Sequence, residues 1–419
     1  MTSYSSNGSV IGSGGVDIAT APCPSCHSLE TEIFHQISQV PVNSVLNIRG
    51  RDEALQFPRG DLALAFCTRC GFISNSLFDS RLVEYSSECE ESQGCSPTFG
   101  AFARDFANSL IQKHDLRNKE ILEIGCGKGE FLDLICSLGH NHGVGFDPAY
   151  VPGRYHHQAQ DRLTFIRDFY SEAYAEFYGD LICCRMTLEH IQHTTGLVNL
   201  VAQAIRGRDS AVTAFQVPNV IRILQKCSFE DIYYEHCSYF SPGSLARLFR
   251  SCGLDVLDLY TAYDEQYIVI EGTAASKPPQ ELHPLENDLD LLSRHVQHFR
   301  QTCPRVVQYW EDRLADFHAD GKKVVLWGSG SKGVAFLNTL SGSDTIQHVV
   351  DINPHRQGTY MAGTGQSIVA PVALKAIMPD AVIVMNPIYR QEIQEELNVM
   401  QLEPELHALG DHVESADEP

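Results

Sequence analysis

An α/β fold in several parts is predicted for these 419 residues, and three observations predict it. Two C-x2-C pairs, Cys23/Cys26 and Cys67/Cys70, stand towards the N-terminus. Residues 119–139 read as a strand, a glycine-rich turn and an amphipathic helix, and residues 322–340 repeat that order. A strand that enters a helix through such a turn begins a parallel βαβ unit. The length exceeds what one compact domain uses, so two or three are expected.

Composition sets the class. Hydrophobic residues make up 43% and charged residues 20%, as in folded soluble chains. The formal net charge of −22 argues against a nucleic-acid or anionic-membrane partner. It leaves room for a small anionic ligand in a locally positive pocket. No apolar run reaches the roughly 18 residues of a membrane span. The Ser/Gly-rich start, residues 1–20, lacks a basic segment followed by an apolar one and reads as a disordered tail. These features point to a cytoplasmic protein with a small-molecule partner. Fourteen cysteines in such a chain read as thiols or metal ligands.

Residues 21–80 form the first expected domain. A C-x2-C turn aims two thiolates at one point, and two turns make the tetrahedral sulfur cage that Zn2+ prefers. Cys23, Cys26, Cys67 and Cys70 would fill every position, so the metal would be structural. Strand-like pieces such as "DLALAFC" would supply its sheet. A redox dithiol, or plain buried cysteines, is the competing reading.

Residues 81–274 form the second. In "KEILEIGCGKGEFLDLICSLG", Glu123, Gly125, Gly127 and Gly129 make an E-x-G-x-G-x-G pattern. The glycines let the turn tighten and let a ligand lie against the backbone. The next strand ends in Asp147, where an acid can accept both ribose hydroxyls. Glu123 ahead of the glycines would repel a pyrophosphate but suits a cationic methionine moiety. Another nucleotide on a generic Rossmann-like turn is the alternative. The helix "SPGSLARLFRSCG" and the hairpin "LDVLDLYTAYDEQYIVIEGT" close the domain.

This segment resembles motif I of class I S-adenosylmethionine-dependent methyltransferases. The resemblance implies S-adenosyl-L-methionine as cofactor, with Asp147 on the ribose and Asp168 and Phe169 near the adenine. It also implies that the strand "DLICCRMTLEHI" carries Arg185 and leads into His190.

Residues 275–318 read as a Pro-rich linker and a helical stretch, bent or broken near Pro304. Residues 319–410 form a second Rossmann-like α/β domain, and 411–419 an acidic tail. Gly328, Gly330 and Gly333 with Asp351 make a dinucleotide fingerprint. Lys332 beside a helix N-terminus, and Arg356, are candidate phosphate ligands. An NAD(P)-dependent oxidoreductase is therefore a rival reading.

"WGSGSKGVAFLN", "VVDINPHRQGTYMAGTG", "SIVAP" and "VIVMNPIYRQEI" together resemble the C-terminal domain of the sugar C-methyltransferase family. Its zinc-binding, methyltransferase and Rossmann-like domains occur in that order, and the likeness covers roughly residues 21–410. It implies methylation of carbon in a nucleotide-linked keto sugar, with the third domain enclosing the sugar nucleotide. It also implies a Tyr-x-Glu-His catalytic arrangement, matched by Tyr233, Glu235 and His236, and a tyrosine after the zinc domain, for which Tyr85 is the candidate.

Carbon methylation requires removal of a proton beside a ketone, a stabilised enolate oxygen and dry alignment. On this expectation His236 is the base. Glu235 orients the sugar or stabilises a cationic neighbour. Tyr233 or Tyr234, with His190, donates to the oxyanion. O- or N-methylation of another small molecule, and a non-enzymatic nucleotide-binding or assembly role, are the alternatives.

Overall fold

The structure is a computed structural model that describes residues 22–410 except 176, 209 and 277–280. The two expected tails lie outside the described residues.

Three sheets organise the chain. The first begins with β1 (Thr31–Pro41), β2 (Arg59–Cys67) and β3 (Ile73–Asn75), paired antiparallel. The second takes β4 (Glu120–Ile124), β5 (His142–Phe146), β6 (Leu163–Ile166), β7 (Leu181–Arg185) and β8 (Val212–Pro218), all parallel. The chain then lends β9 (Ser238–Tyr239) to the first sheet, where it pairs with β3. It returns to the second sheet with β10 (Leu254–Ala262) and β11 (Tyr267–Ala274). The resulting order is β10-β11-β8-β7-β4-β5-β6, with β11 antiparallel to both neighbours. The third sheet is parallel, in the order β14-β13-β12-β15-β16, from β12 (Val324–Trp327), β13 (His348–Val350), β14 (Ser367–Val369), β15 (Ala381–Val384) and β16 (Glu405–Ala408). The expected α/β class, with two Rossmann-like sheets, is what the chain adopts.

Strand order reverses at β4 and again at β12. Crevices open at such switch points, beyond the carboxyl ends of the strands. The two glycine-rich turns leave those two strand ends.

Local sequence accounts for the main elements. β7 and β15 carry continuous apolar runs because helices cover both faces of a parallel sheet. Ser241 and Ser244 close a capping box ahead of the helix Pro242–Ser251, which ends before Gly253 in a left-handed conformation. The helix Leu289–Ala319 runs through Pro304 without interruption, against the expected break. Its apolar face, from Leu292 and Phe299 to Trp310 and Phe317, is buried in one core with Phe34, Leu64 and Phe336. That packing on both sides of the proline outweighs the roughly 3 kcal/mol that an interior proline costs. The same core joins residues of the first sheet to the third.

Candidate active site

The four cysteines converge as expected. Cys23 and Cys70 sulfurs are 3.6 Å apart, as are those of Cys26 and Cys67, and all four lie within 4.8 Å of one another. A tetrahedron of sulfurs about 2.3 Å from a zinc has edges of about 3.8 Å. The donor set therefore fits that ion. The thiols share protons unequally: hydrogen bonds from Cys23 and Cys70 push Cys67 down, and Cys23 and Cys70 are pushed up in return.

The first glycine-rich turn is built for close approach of a ligand. Gly125 has φ +70°, and a Cβ there would run into the side chain of Thr187. Gly129 has φ +80° and caps the helix Glu130–Gly139, where a Cβ would strike Phe165. Asp147, at the end of β5, accepts from the backbone N–H of Gly127 (2.8 Å) and of Ala149 (2.7 Å), which holds its carboxylate beside the turn. Glu123 is buried, and its Oε2 has no hydrogen-bond partner among the described residues. Burial pushes its carboxyl up to about 7, against the pull of Arg185. A buried carboxylate left half-satisfied beside a glycine cradle fits a cationic ligand, as the sulfonium of S-adenosylmethionine would be. Arg185 donates to Gln216 (3.0 Å) and its guanidinium sits 3.9 Å from the Phe131 ring centre, so its place is in the wall of the site.

One cavity of about 700 Å³ runs past this turn. It is lined by Glu123, Gly125, Gly127, Asp147, Asp168, Phe169 and Arg185 from the second sheet's side. Tyr85, His190, Tyr233, Glu235 and His236 line it too, and Gly330, Lys332 and Arg356 come from the third sheet's side. Of the sequence-derived candidates outside the cysteine cage, Gly129 and Tyr234 are missing from the lining; the work of Gly129 is to start the helix. Asp168 is tied to the Tyr174 hydroxyl (2.6 Å), and Phe169 is an exposed ring at the cavity's edge.

The histidines stand together. Their ring centres are 4.7 Å apart at 83°, and Tyr233 lies 4.1 Å from His236. Tyr85 sets its edge against His190 at 5.9 Å. Burial pushes His190 down to about 4. His236, 4% exposed, is pushed well below the usual imidazole range by burial first, then by His190 and Lys332. Both rings are therefore neutral, the form in which an imidazole accepts a proton. Burial pushes Glu235 up to about 7, opposed by hydrogen bonds from Ser44.

Two expectations need correction. Tyr234 does not face the cavity: its hydroxyl accepts from the Asp79 N–H (2.9 Å) and its ring packs on Phe78. The chain turns here, closed by the His236 N–H on the Tyr233 carbonyl (3.3 Å), so that Tyr233, Glu235 and His236 line the cavity and Tyr234 does not. Arg356 is fully buried and donates to the Ser329 hydroxyl (2.7 Å), the Ser329 carbonyl (2.7 Å) and the Glu90 carbonyl (3.0 Å). It braces the second glycine turn, with three of its five N–H donors bonded to protein. Lys332 pairs with Asp231. Asp351, the acid of the dinucleotide pattern, accepts from the Ser329 N–H and hydroxyl and from the Asn353 N–H (2.8 Å).

Sequence reasoning missed three contributors. Ser44 bonds Glu235 from the loop after β1, where nothing local marks it. The strap 89–93 crosses the first glycine turn: Lys128 donates to the Cys89 carbonyl (2.8 Å), and Glu91 lies 3.6 Å from Lys128. Glu189 lines the same cavity, and its place beside His190 was the available signal.

Residues 99–259 match the family described as methyltransferase domain, and residues 272–403 the family described as C-methyltransferase C-terminal domain. The chain is similar to the C-methyltransferase NovU of Streptomyces niveus, with 27% identity over 290 residues, 65% of this chain and 67% of NovU. Among solved structures it is similar to N,N-8-amino-8-demethyl-D-riboflavin dimethyltransferase RosA from Streptomyces davawensis. There the TM-score is 0.36 at 17% identity, over 42% of this chain and 54% of RosA, so about half of RosA is spanned. It is also similar to magnesium protoporphyrin IX methyltransferase ChlM from Synechocystis PCC 6803. That TM-score is 0.34 at 13% identity, over 42% of this chain and 84% of ChlM. With a methyltransferase domain followed by a C-methyltransferase C-terminal domain, and a likeness to a C-methyltransferase across both, the chain is an S-adenosylmethionine-dependent methyltransferase.

Proposed function

We propose that the protein methylates the carbon beside a ketone in a nucleotide-linked sugar or a similar small molecule. The observation that carries this reading is one cavity shared by the cofactor turn, the neutral His190–His236 pair and the second glycine turn. An O- or N-methyltransferase has no need of a base poised against carbon.

When bound, S-adenosylmethionine supplies an electrophilic methyl group. The chain's own residues prepare the carbon. His236 takes the proton next to the ketone. Tyr233, whose phenol burial keeps protonated, donates to the oxygen on which charge gathers, and His190 shares that task. Glu235, fixed by Ser44, faces the same space and orients the acceptor. The second glycine turn and the N-terminus of the helix Ser331–Thr339, with Lys332, hold the acceptor's phosphates. The four cysteines hold a structural zinc.

A mass-detected methyl-transfer screen over keto-sugar nucleotides tests the reading. In deuterated water the acceptor should exchange hydrogen at the acidic carbon, and His236→Ala should abolish that exchange. Methyl transfer to oxygen or nitrogen without exchange would replace the proposal by its rival.

A further inference from the structure

Glu189 sits in the turn Leu188–His190 that follows β7, one residue before His190. It is 1% exposed, and both carboxyl oxygens lack a hydrogen-bond partner among the described residues. One of those oxygens lies within 4.8 Å of a ring nitrogen of His190 and of His236. His190 Nδ1 is likewise buried without a partner. A buried carboxyl with nothing to bond is costly, because water's hydrogen bonds are lost and none replace them. Such a group is accounted for when a positive charge forms beside it at some stage.

The reaction proposed above makes that charge. We infer that Glu189 is a positioning residue of the base: its carboxylate compensates the imidazolium that forms when His236 takes a proton from the acceptor carbon. This inference rests on that reading and deepens it. In the step, the carbon–hydrogen bond breaks and its electron pair stays with the acceptor as the enolate. The proton goes to a ring nitrogen of His236, and Glu189 gains no bond to the acceptor. Both oxygens are buried from solvent although the residue lines the cavity, and their nearest titratable company is the two imidazoles, so the role inferred for Glu189 is exerted through the imidazoles.

The surroundings leave the task to Glu189. Glu235, the other nearby carboxyl, has Ser44 on one oxygen and its other oxygen buried without a partner, but among the described residues it is Glu189 whose oxygen falls within 4.8 Å of both imidazoles in one cluster. The remaining titratable neighbours that feel the charge of Glu189 are the phenols of Tyr85 and Tyr233 and the thiols of Cys184 and Cys237. Each of these is neutral in its ordinary form. Lys332 faces His236 from the third sheet's side and opposes protonation there, which raises the need for a counter-charge. Burial pushes Glu189 up to about 8. Its ionised fraction therefore grows tenfold per pH unit up to that value and levels above it, and base strength follows in the same direction.

The test has two arms on the full-length, zinc-replete chain. First, side-chain nitrogen resonances of His190 and His236, assigned with His190→Gln and His236→Gln, are followed from pH 6 to 9.5 without acceptor. Both should shift through a titration near pH 8 in the wild type and stay flat in Glu189→Gln. Equal movement in the variant overturns the inference. Second, hydrogen exchange at the acceptor carbon is measured with a keto-sugar nucleotide taken from the screen. Glu189→Gln should lower it on the order of 100-fold at pH 8 and remove the pH dependence, with S-adenosylmethionine affinity unchanged as the control of folding. Wild-type rates in the variant overturn the inference. Absence of exchange in the wild type defeats the proposed reaction instead, and the first arm still decides whether carboxyl and imidazoles are coupled. A second metal per chain, lost in Glu189→Gln, would also overturn the inference, since carboxylate and imidazoles would then be ligands.

Discussion

Ser44 and Glu235, 191 residues apart in sequence, are joined twice: the Ser44 N–H donates to Glu235 Oε1 at 2.9 Å, and the Ser44 hydroxyl donates to the same oxygen. The Ser44 and Ser331 hydroxyls are 2.7 Å apart. With the Ser44 proton on Glu235, the Ser331 proton is free to point at Ser44. A serine from the loop after β1, a carboxyl from the Tyr233–His236 segment and a serine at the second glycine turn thus form one chain. Burial raises Glu235, and the Ser44 bonds hold it back at about 7. Ser44→Ala removes one charge-assisted bond worth about 1.5 kcal/mol, so Glu235 rises further and is more protonated at pH 7. The acid limb of kcat/KM should move to higher pH by about one unit, with a loss of roughly sevenfold at pH 7. A pH–rate profile that coincides with the wild type would remove Glu235 from the reaction.

Glu123 makes cofactor binding depend on pH. Its carboxyl is raised above its unfolded value of about 4.5 to about 7, chiefly by burial. In the free protein its stabilising contribution is therefore complete below pH 4.5 and lost as pH rises through 7. A cationic ligand favours the ionised form. S-adenosylmethionine affinity should rise towards pH 7, by up to tenfold per unit, and then level. Glu123→Gln should flatten the curve and weaken binding at pH 8. Calorimetric titration at pH 5.5, 7 and 8.5 gives the answer, and a flat wild-type curve rejects the pairing.

The cysteine cage is tied to the Tyr233–His236 segment through backbone. Cys67 ends β2, β2 pairs with β3, and β3 pairs with β9, which begins two residues after His236. Ser74 faces Ser238 in that last pairing. Purified protein should contain one zinc per chain by elemental analysis. Cys67→Ser, or removal of the metal by a strong chelator, should lower the melting temperature and suppress methyl transfer before S-adenosylmethionine binding is lost. Full activity with a metal content near zero would discard the structural role.

How much of this was legible depended on distance along the chain. Glu123, the glycines and Asp147 form a local pattern of 25 residues, and the turn they predict is the one observed. The four cysteines were readable because metal geometry ties spacing to position. The Tyr233–His236 cluster declared itself by packing ionisable groups among aromatics. Hidden from the sequence was whatever depends on contacts between sheets. The partnership of Ser44 with Glu235 needs β1 folded against the catalytic segment. The burial of Arg356 follows from Glu90 and Ser329 reaching it from separate regions. The unbroken helix through Pro304 reflects tertiary packing, which no local propensity reports.

On the proposed reading, Lys332 and Asp231 set the affinity of the acceptor's anionic end. Their ion pair joins the helix after the second glycine turn to the turn that precedes the catalytic segment. An ammonium already paired offers a phosphate less than a free one, while the pair keeps the lysine from approaching His236. Lys332→Ala should raise the acceptor's KM roughly tenfold with S-adenosylmethionine affinity unchanged, one lost charge-assisted contact being worth about 1.5 kcal/mol. Asp231→Asn should act in the opposite direction on KM, because the freed ammonium turns to the phosphate. It should also lower kcat, since an unpaired cation beside the histidines disfavours their protonation. Steady-state kinetics of the two variants against acceptor concentration separate these effects. A KM that neither substitution moves would place the anionic end of the acceptor elsewhere in the cavity.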